Sequence, residues 1–306
     1  MIKTYKLMIL LLFIAPPVFS QKSAQEYFII GNDFFKKGDI DISIRAYNKA
    51  IGLDSTNADY YFSRAVAKTY FHEYYDALPD YNRAISLDSL NAFFYYNRGH
   101  AHFDRSEYSP AFDDYYRATL LDPGVAEYFF SSAMARAKLE DTERALEDFN
   151  SAILLDSTRK EYYLNRGLTL YNLDMKEQAM ENYLQATRID PYYTDAVFYR
   201  GLYYHLDRKD YEAAIKDFTF LIRKNPYDFG MYLNRGNVKY DKGDFNGAIN
   251  DYSIAIANDK DDGYLFYVRG LAKLAMGKTK SACADIRKAN TLNYEFAADK
   301  LMEVCQ

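Results

Sequence analysis

The sequence predicts an all-α solenoid of about eight stacked helical hairpins, closed by a short C-terminal capping helix. Three observations predict it. Small residues recur as Gly31, Ala65, Gly99, Ala133, Gly167, Gly201, Gly236 and Gly270, at steps of 34 residues with one step of 35. A second small series, Ser43, Ala77, Ala111, Ala145, Ala179, Ala214, Ala248 and Ala282, follows 12 residues behind and slips by one at Ala214. An aromatic series, Tyr47, Tyr81, Tyr115, Phe149, Tyr183, Phe218 and Tyr252, keeps the same register and ends on Ile286. Series in register over so many units mark a repeat protein, in which one unit cannot bury its own apolar face and neighbours must complete the core.

The N-terminus reads as an export signal spanning residues 1–20. Lys3 and Lys6 supply the positive start, Leu7 to Ala15 the apolar run, and Val18 and Ser20 the small residues before a cut that leaves Gln21 first. The run is shorter than the roughly 20 apolar residues that a span needs, and no later stretch is long and apolar enough to cross a membrane. The expected location is therefore exported, either periplasmic or secreted.

Eight hairpins follow over 24–296, divided as 24–57, 58–91, 92–125, 126–159, 160–193, 194–228, 229–262 and 263–296. The third shows the logic. Tyr95, Gly99 and Phe103 lie four apart on one helical face. Ser109-Pro110 restarts the chain as N-cap and first helical residue. Ala111, Tyr115 and Ala118 form the second stripe, and Asp122-Pro123-Gly124 stops it. Gly99 and Ala111 are expected opposite each other, with Tyr95 facing Tyr115 nearer the open end. The slip at Ala214 and the 35-residue step share one explanation, a residue inserted near Arg208-Lys209. Residues 297–306 read as the cap.

This pattern resembles the tetratricopeptide repeat (TPR) family over nearly all of 24–296. The resemblance implies a right-handed solenoid whose concave face is lined mainly by first helices. It implies a protein or peptide partner and no cofactor. The departures are Val197 for the first-helix aromatic of the sixth hairpin and Ile286 in the eighth. Family members that clamp a chaperone's C-terminal carboxylate need basic first-helix residues. Here the inward position holds Phe28, Phe62, Tyr96, Phe130, Leu164, Phe198, Leu233 and Tyr267, so that docking mode is not expected.

Two polar series remain. Arg64, Arg98, Arg166, Arg200, Arg235 and Arg269 precede the small residue; Asp80, Asp114, Asp148, Asp217, Asp251 and Asp285 precede the second-helix aromatic. They read as structural ion pairs that set register, with a ligand-facing charge row as the alternative. Partly exposed pairs would contribute about 0–1 kcal/mol each. Asn97, Asn165 and Asn234 share one first-helix position. Each amide can hold an extended peptide backbone as donor and acceptor, or can bond within the solenoid. The candidate partner-binding residues are Phe93, Tyr96, Asn97, His100, Asn165, Tyr171, Tyr199, Asn234, Asn237 and Tyr240, with Phe198 and His205 nearby. Aromatic bodies with polar tips suit protein interfaces. Stacking on a glycan or another small ligand is the alternative use of these rings.

Composition narrows the function further. With 49% hydrophobic residues, 26% charged residues and a net charge of -5, the chain is a folded protein without the basic footprint of a nucleic-acid binder. His100, His102 and Asp104 do not form a closed metal site, and no nucleotide or hydrolase motif is present. No catalytic residue, metal or cofactor is assigned, and the chain reads as a scaffold. Cys283 and Cys305 read as a buried thiol and a C-terminal one rather than as a pair, although export would permit a disulfide.

Overall fold

The structure, a computed structural model, describes residues 22–71 and 74–305. The expected signal segment 1–20 lies outside them. Among the described residues there are 17 α-helices and no strand. The described residues form two compact units that divide between Asp122 and Pro123.

The first unit holds three hairpins: α1 (Ala24–Lys36) with α2 (Ile40–Leu53), α3 (Ala58–Tyr70) with α4 (Tyr74–Leu87), and α5 (Ala92–Asp104) with α6 (Tyr108–Leu121). The second holds five. They are α7 (Ala126–Lys138) with α8 (Thr142–Leu155), α9 (Lys160–Asn172) with α10 (Lys176–Ile189), α11 (Thr194–Tyr203) with α12 (Tyr211–Lys224), α13 (Phe229–Lys242) with α14 (Phe245–Asn258), and α15 (Gly263–Ala275) with α16 (Thr279–Thr291). The cap is α17 (Ala297–Val304). Its Ala297 is fully buried against Ile286 and Ala289.

The stop signals work as the sequence suggests. Asp54, Asp156, Asp190 and Asp259 each follow a second helix, and their Oδ1 accepts the backbone N–H two residues on, at 2.8–3.0 Å. The start in the third hairpin does not. There α6 begins at Tyr108 after Glu107, and Ser109 is not its N-cap. Pro110 sits within the first turn, where its missing N–H has no intrahelical acceptor to lose.

The small residues do more than let Gly and Ala approach, although at Gly270 an added Cβ would meet the Ala282 carbonyl oxygen at 3.3 Å as expected. A Cβ on Gly99 would meet the Tyr115 ring at 2.8 Å and Asp114 Cβ at 3.2 Å; on Gly236 it would meet the Tyr252 ring at 2.6 Å. The first-helix glycine makes room for the second-helix aromatic. That ring is almost fully buried at Tyr47, Tyr81, Tyr115, Phe149, Tyr183, Phe218 and Tyr252. Tyr95 does not face Tyr115. It lies beneath the guanidinium groups of Arg98 and Arg117, 5.6 and 6.0 Å from its centroid. Tyr96 and His100 meet Tyr115 instead, at 5.9 and 5.2 Å.

The arginine series pairs with the aspartates and reaches further than one hairpin. Arg98 donates Nε and Nη2 to Asp114 at 2.8 and 2.6 Å, while Nη1 reaches Asn82 of the preceding hairpin at 2.7 Å. Arg235 grips Asp251 in the same way, with Nη1 on Thr219 at 3.1 Å. Arg269 repeats it with Asp285 and Ser253. One planar fork thus ties three helices. The carboxylates are buried rather than partly exposed: Asp114 is 4% and Asp251 2% exposed. Burial of the anion takes these pairs out of the weak surface class assumed from sequence. Hydrogen bonds donated to the Asp217 and Asp251 carboxylates hold the Arg200 and Arg235 guanidinium groups above their ordinary pKa. Arg166 faces the neutral Asn182, and desolvation pushes it down.

Cys283 and Cys305 are joined in a disulfide with Cα atoms 5.6 Å apart, which corrects the reading of two free thiols. The bond clamps the end of α17 onto α16. Sequence could not show this, because the proximity depends on how the cap folds back.

Candidate functional site

First helices of neighbouring hairpins touch directly at α1 and α3, α3 and α5, and α7 and α9. Side chains also bridge first helices. Tyr162 donates its hydroxyl to Glu127 at 2.9 Å, Tyr171 to Asp207 at 3.2 Å, and His205 Nε2 lies 2.7 Å from Asp241. These helices carry the expected site residues.

In the first unit, Phe93, Tyr96 and His100 run along α5 at spacings of three and four. Phe93 is 49% exposed and stacks with Tyr96 at 6.3 Å. Tyr96 meets His100 edge-on at 4.4 Å, and Phe62 of the preceding hairpin lies 5.4 Å from Phe93. The result is a continuous aromatic strip. His102 does not join His100. Its Nδ1 lies 2.7 Å from Glu107, whose other oxygen takes Arg105, and these partners push the Glu107 carboxyl down to about 2.

The three asparagines behave alike. Nδ2 of Asn97, Asn165 and Asn234 donates to the carbonyl four residues back, on Phe93, Glu161 and Gly230, at 2.7, 2.9 and 2.9 Å. Their Oδ1 atoms have no hydrogen-bond partner among the described residues. One donor is used inside the helix and the acceptor is left over. Asn237 is different, because its Oδ1 accepts from the Tyr252 hydroxyl at 2.9 Å.

The other candidates line two cavities of the second unit. Asn237 and Tyr240 border a cavity of mixed polarity of about 280 Å³, with His205, Asp241, Tyr252, Tyr264, Val268 and Leu271. Tyr171 and Tyr199 border a more apolar one of about 470 Å³, with Leu168, Leu202, Tyr203 and Leu206. Tyr199 stacks on Tyr183 at 5.9 Å. Sequence reasoning missed Asp207, Asp241, Tyr183 and Leu206. Its one usable signal was the 35-residue step, since the inserted residue falls between these cavities: Tyr204–Arg208 winds as a π-helical turn and Lys209 takes a left-handed φ of 54°. Lys176 on α10 is bound to Asp207 at 2.9 Å.

Among the described residues no group of three or more His, Cys, Asp or Glu could hold a metal ion, and no helix is long and apolar enough to cross a membrane.

Family models for the TPR repeat match residues 31–68, and models for the tetratricopeptide repeat match 160–193 and 199–262. Stress-induced-phosphoprotein 1 of Caenorhabditis elegans is 44% identical over 57 residues; the match covers 19% of this chain and only 18% of that protein. Among solved structures, YrrB, described as a TPR protein with an unusual peptide-binding site, is 25% identical with a TM-score of 0.52, covering 65% of this chain and 98% of that one. The pilF protein of Pseudomonas aeruginosa shares the fold with a TM-score of 0.60 at 19% identity, over 71% of this chain and 97% of that one. MamA does so with a TM-score of 0.52 at 23% identity, over 55% and 92%. Repeat period, helical hairpins and family models agree, and the chain belongs to the tetratricopeptide repeat family.

Proposed function

We propose that this chain is an exported, non-enzymatic scaffold that binds a peptide segment or protein partner in the groove lined by its first helices. One observation carries the reading. Asn97, Asn165 and Asn234 recur at one repeat position, each anchored through Nδ2 to its own helix and each with an Oδ1 that has no partner among the described residues. An anchored amide is preorganised, so its remaining acceptor and second N–H meet an extended backbone at little entropic cost. Partly exposed rings beside them, Phe93 and Tyr96 on α5 and Tyr199 on α11, add apolar area. The likeness to a TPR protein described as peptide-binding supports the same reading.

Export is supported by the Lys3, Lys6 and Leu7–Ala15 pattern, and by a disulfide of the kind that persists in oxidising compartments. Mass spectrometry of the exported protein is expected to find Gln21 at its start. An intact Met1 on most exported molecules counts against processing.

The binding test uses a copurifying partner and two triple variants. Asn97, Asn165 and Asn234 to Ala should weaken binding roughly 10- to 1,000-fold, from three hydrogen bonds of about 0.5–1.5 kcal/mol each if they add. Arg117, Lys216 and Asn250, exposed on second helices, should tolerate Ala with little change. Helicity should hold in both. Loss of binding in the second set alone would place the partner on the opposite face and sink the proposal.

A further inference from the structure

The second-helix tyrosines share a habit that one of them breaks. Tyr47 donates its hydroxyl to Asn32 at 2.8 Å, Tyr252 to Asn237 at 2.9 Å, and Tyr81 shares a hydrogen bond with Thr69 at 3.1 Å. Tyr183 is equally buried, at 1% exposure, but its hydroxyl has no hydrogen-bond partner among the described residues. The reason is local. The repeat position of Asn32 and Asn237 is held here by Leu168, which has no acceptor. The hydroxyl oxygen is not sealed from solvent; it opens onto the cavity that Tyr183 lines, where an occupant can bond it.

Tyr183 lines the cavity of about 470 Å³ described above. Leu168, Leu202 and Tyr199 wall it, and Tyr203, 2% exposed, is also part of its lining. Tyr171 and Asn172 complete the lining with Leu206, which is 57% exposed and belongs to the π-helical turn made by the inserted residue. Such turns recur at functional sites, because the extra residue re-aims the side chains after it. Asp207, the carboxylate beside the cavity, is occupied by Lys176 at 2.9 Å and by the Tyr171 hydroxyl at 3.2 Å.

We infer that this cavity is a socket for one uncharged aromatic side chain, tyrosine or tryptophan, of a bound polypeptide. The inference rests on the groove reading and adds to it a place and a residue class. A flat ring matches Tyr199 and the leucine walls, and a phenol oxygen or indole N–H satisfies the Tyr183 hydroxyl. A charged side chain would be desolvated there without a counter-ion. An aliphatic one would leave the hydroxyl unpaired. The volume lies in the range of ordinary ligand pockets and accommodates a ring with its adjoining backbone.

The chain contains no tryptophan, so the fluorescence of N-acetyltryptophanamide reports on the probe alone. Titrated with the full chain, the probe should blue-shift and saturate, and N-acetyltyrosinamide should compete where N-acetyllysinamide does not. Leu206→Asp, at an exposed position, should weaken probe binding at least about 10-fold by placing a charge at the mouth. Tyr183→Phe should weaken it about 2- to 12-fold without lowering the thermal midpoint, since the hydroxyl has nothing to lose in the free protein. Leu154→Asp, 87% exposed on α8, should match wild type. A probe that does not saturate, or that binds both socket variants as it binds wild type, overturns the socket. The groove fails separately. A partner weakened by the asparagine variant but indifferent to Leu206→Asp and Tyr183→Phe overturns the socket alone.

Discussion

Arg235 holds Asp251 through two parallel hydrogen bonds, Nε to Oδ2 at 2.9 Å and Nη2 to Oδ1 at 2.7 Å, and Lys239 adds a third contact at 2.8 Å. The carboxylate is thus the meeting point of two cations at the seam between α13 and α14. Asp251→Ala should leave Arg235 and Lys239 facing each other without an anion. The expected loss is about 3 kcal/mol, the lower end for breaking a buried pair, because the cations keep partial contact with solvent. Asp251→Asn should cost less, since Asn182 already serves Arg166 at the same position. Urea denaturation of the two variants measures the difference; equal losses would show that charge, not hydrogen bonding, dominates this seam.

Gly167 lies over Tyr183, where an added Cβ would sit 2.7 Å from the ring and 3.1 Å from Asn182 Cβ. Ala65 and Ala133 occupy this position in other hairpins and are fully buried, so a methyl can be absorbed by a small shift. Gly167→Ala is expected to cost under about 1 kcal/mol, and Gly167→Leu about 1–3 kcal/mol or more through overpacking. Denaturation midpoints check the order. A leucine variant as stable as the alanine one would refute the close approach.

Burial pushes the Tyr47 and Tyr81 hydroxyls up to about 12 from an ordinary 10.0. The raised pKa means that the fold holds these protons more tightly than the unfolded chain does. Their contribution to stability is complete below about pH 10 and is lost as pH rises through 12. In an alkaline titration followed by tyrosinate absorbance, exposed tyrosines should ionise first. The buried ones should ionise later, together with the loss of helical circular dichroism. Ionisation of all tyrosines before any helix is lost would contradict the burial.

The disulfide closes a separation of 22 residues between α16 and the end of α17. Cys283→Ser with Cys305→Ser should lower stability by about 3 kcal/mol, the chain-entropy value for a loop near this size. The loss should be concentrated in the cap, which covers Ile286 and Ala289. Limited proteolysis should then cut first around residues 297–305. Unchanged protease resistance in the double-serine variant would show that packing alone holds the cap.

The sequence by itself determined the repeat, the hairpins, the arginine–aspartate partners and the location of the inserted residue. Each of these is set by local period, and a series such as Gly31 to Gly270 announces a shared environment before that environment is known. That Gly99 makes room for the Tyr115 ring depended on the rotation of one helix against another. The third contact of each arginine fork, the Cys283–Cys305 pairing and the occupation of Lys176 by Asp207 join neighbouring hairpins or the cap. No period within one hairpin encodes such pairings. The candidate site divides in the same way. Asn97, Asn165 and Asn234 were legible as a recurring position, but the carbonyl each one bonds was not. Tyr183 read as one more member of the buried aromatic series. Only the packed structure shows its hydroxyl without a partner, because that depends on Leu168 standing where other hairpins place an asparagine, and on the π-helical turn that completes the cavity wall.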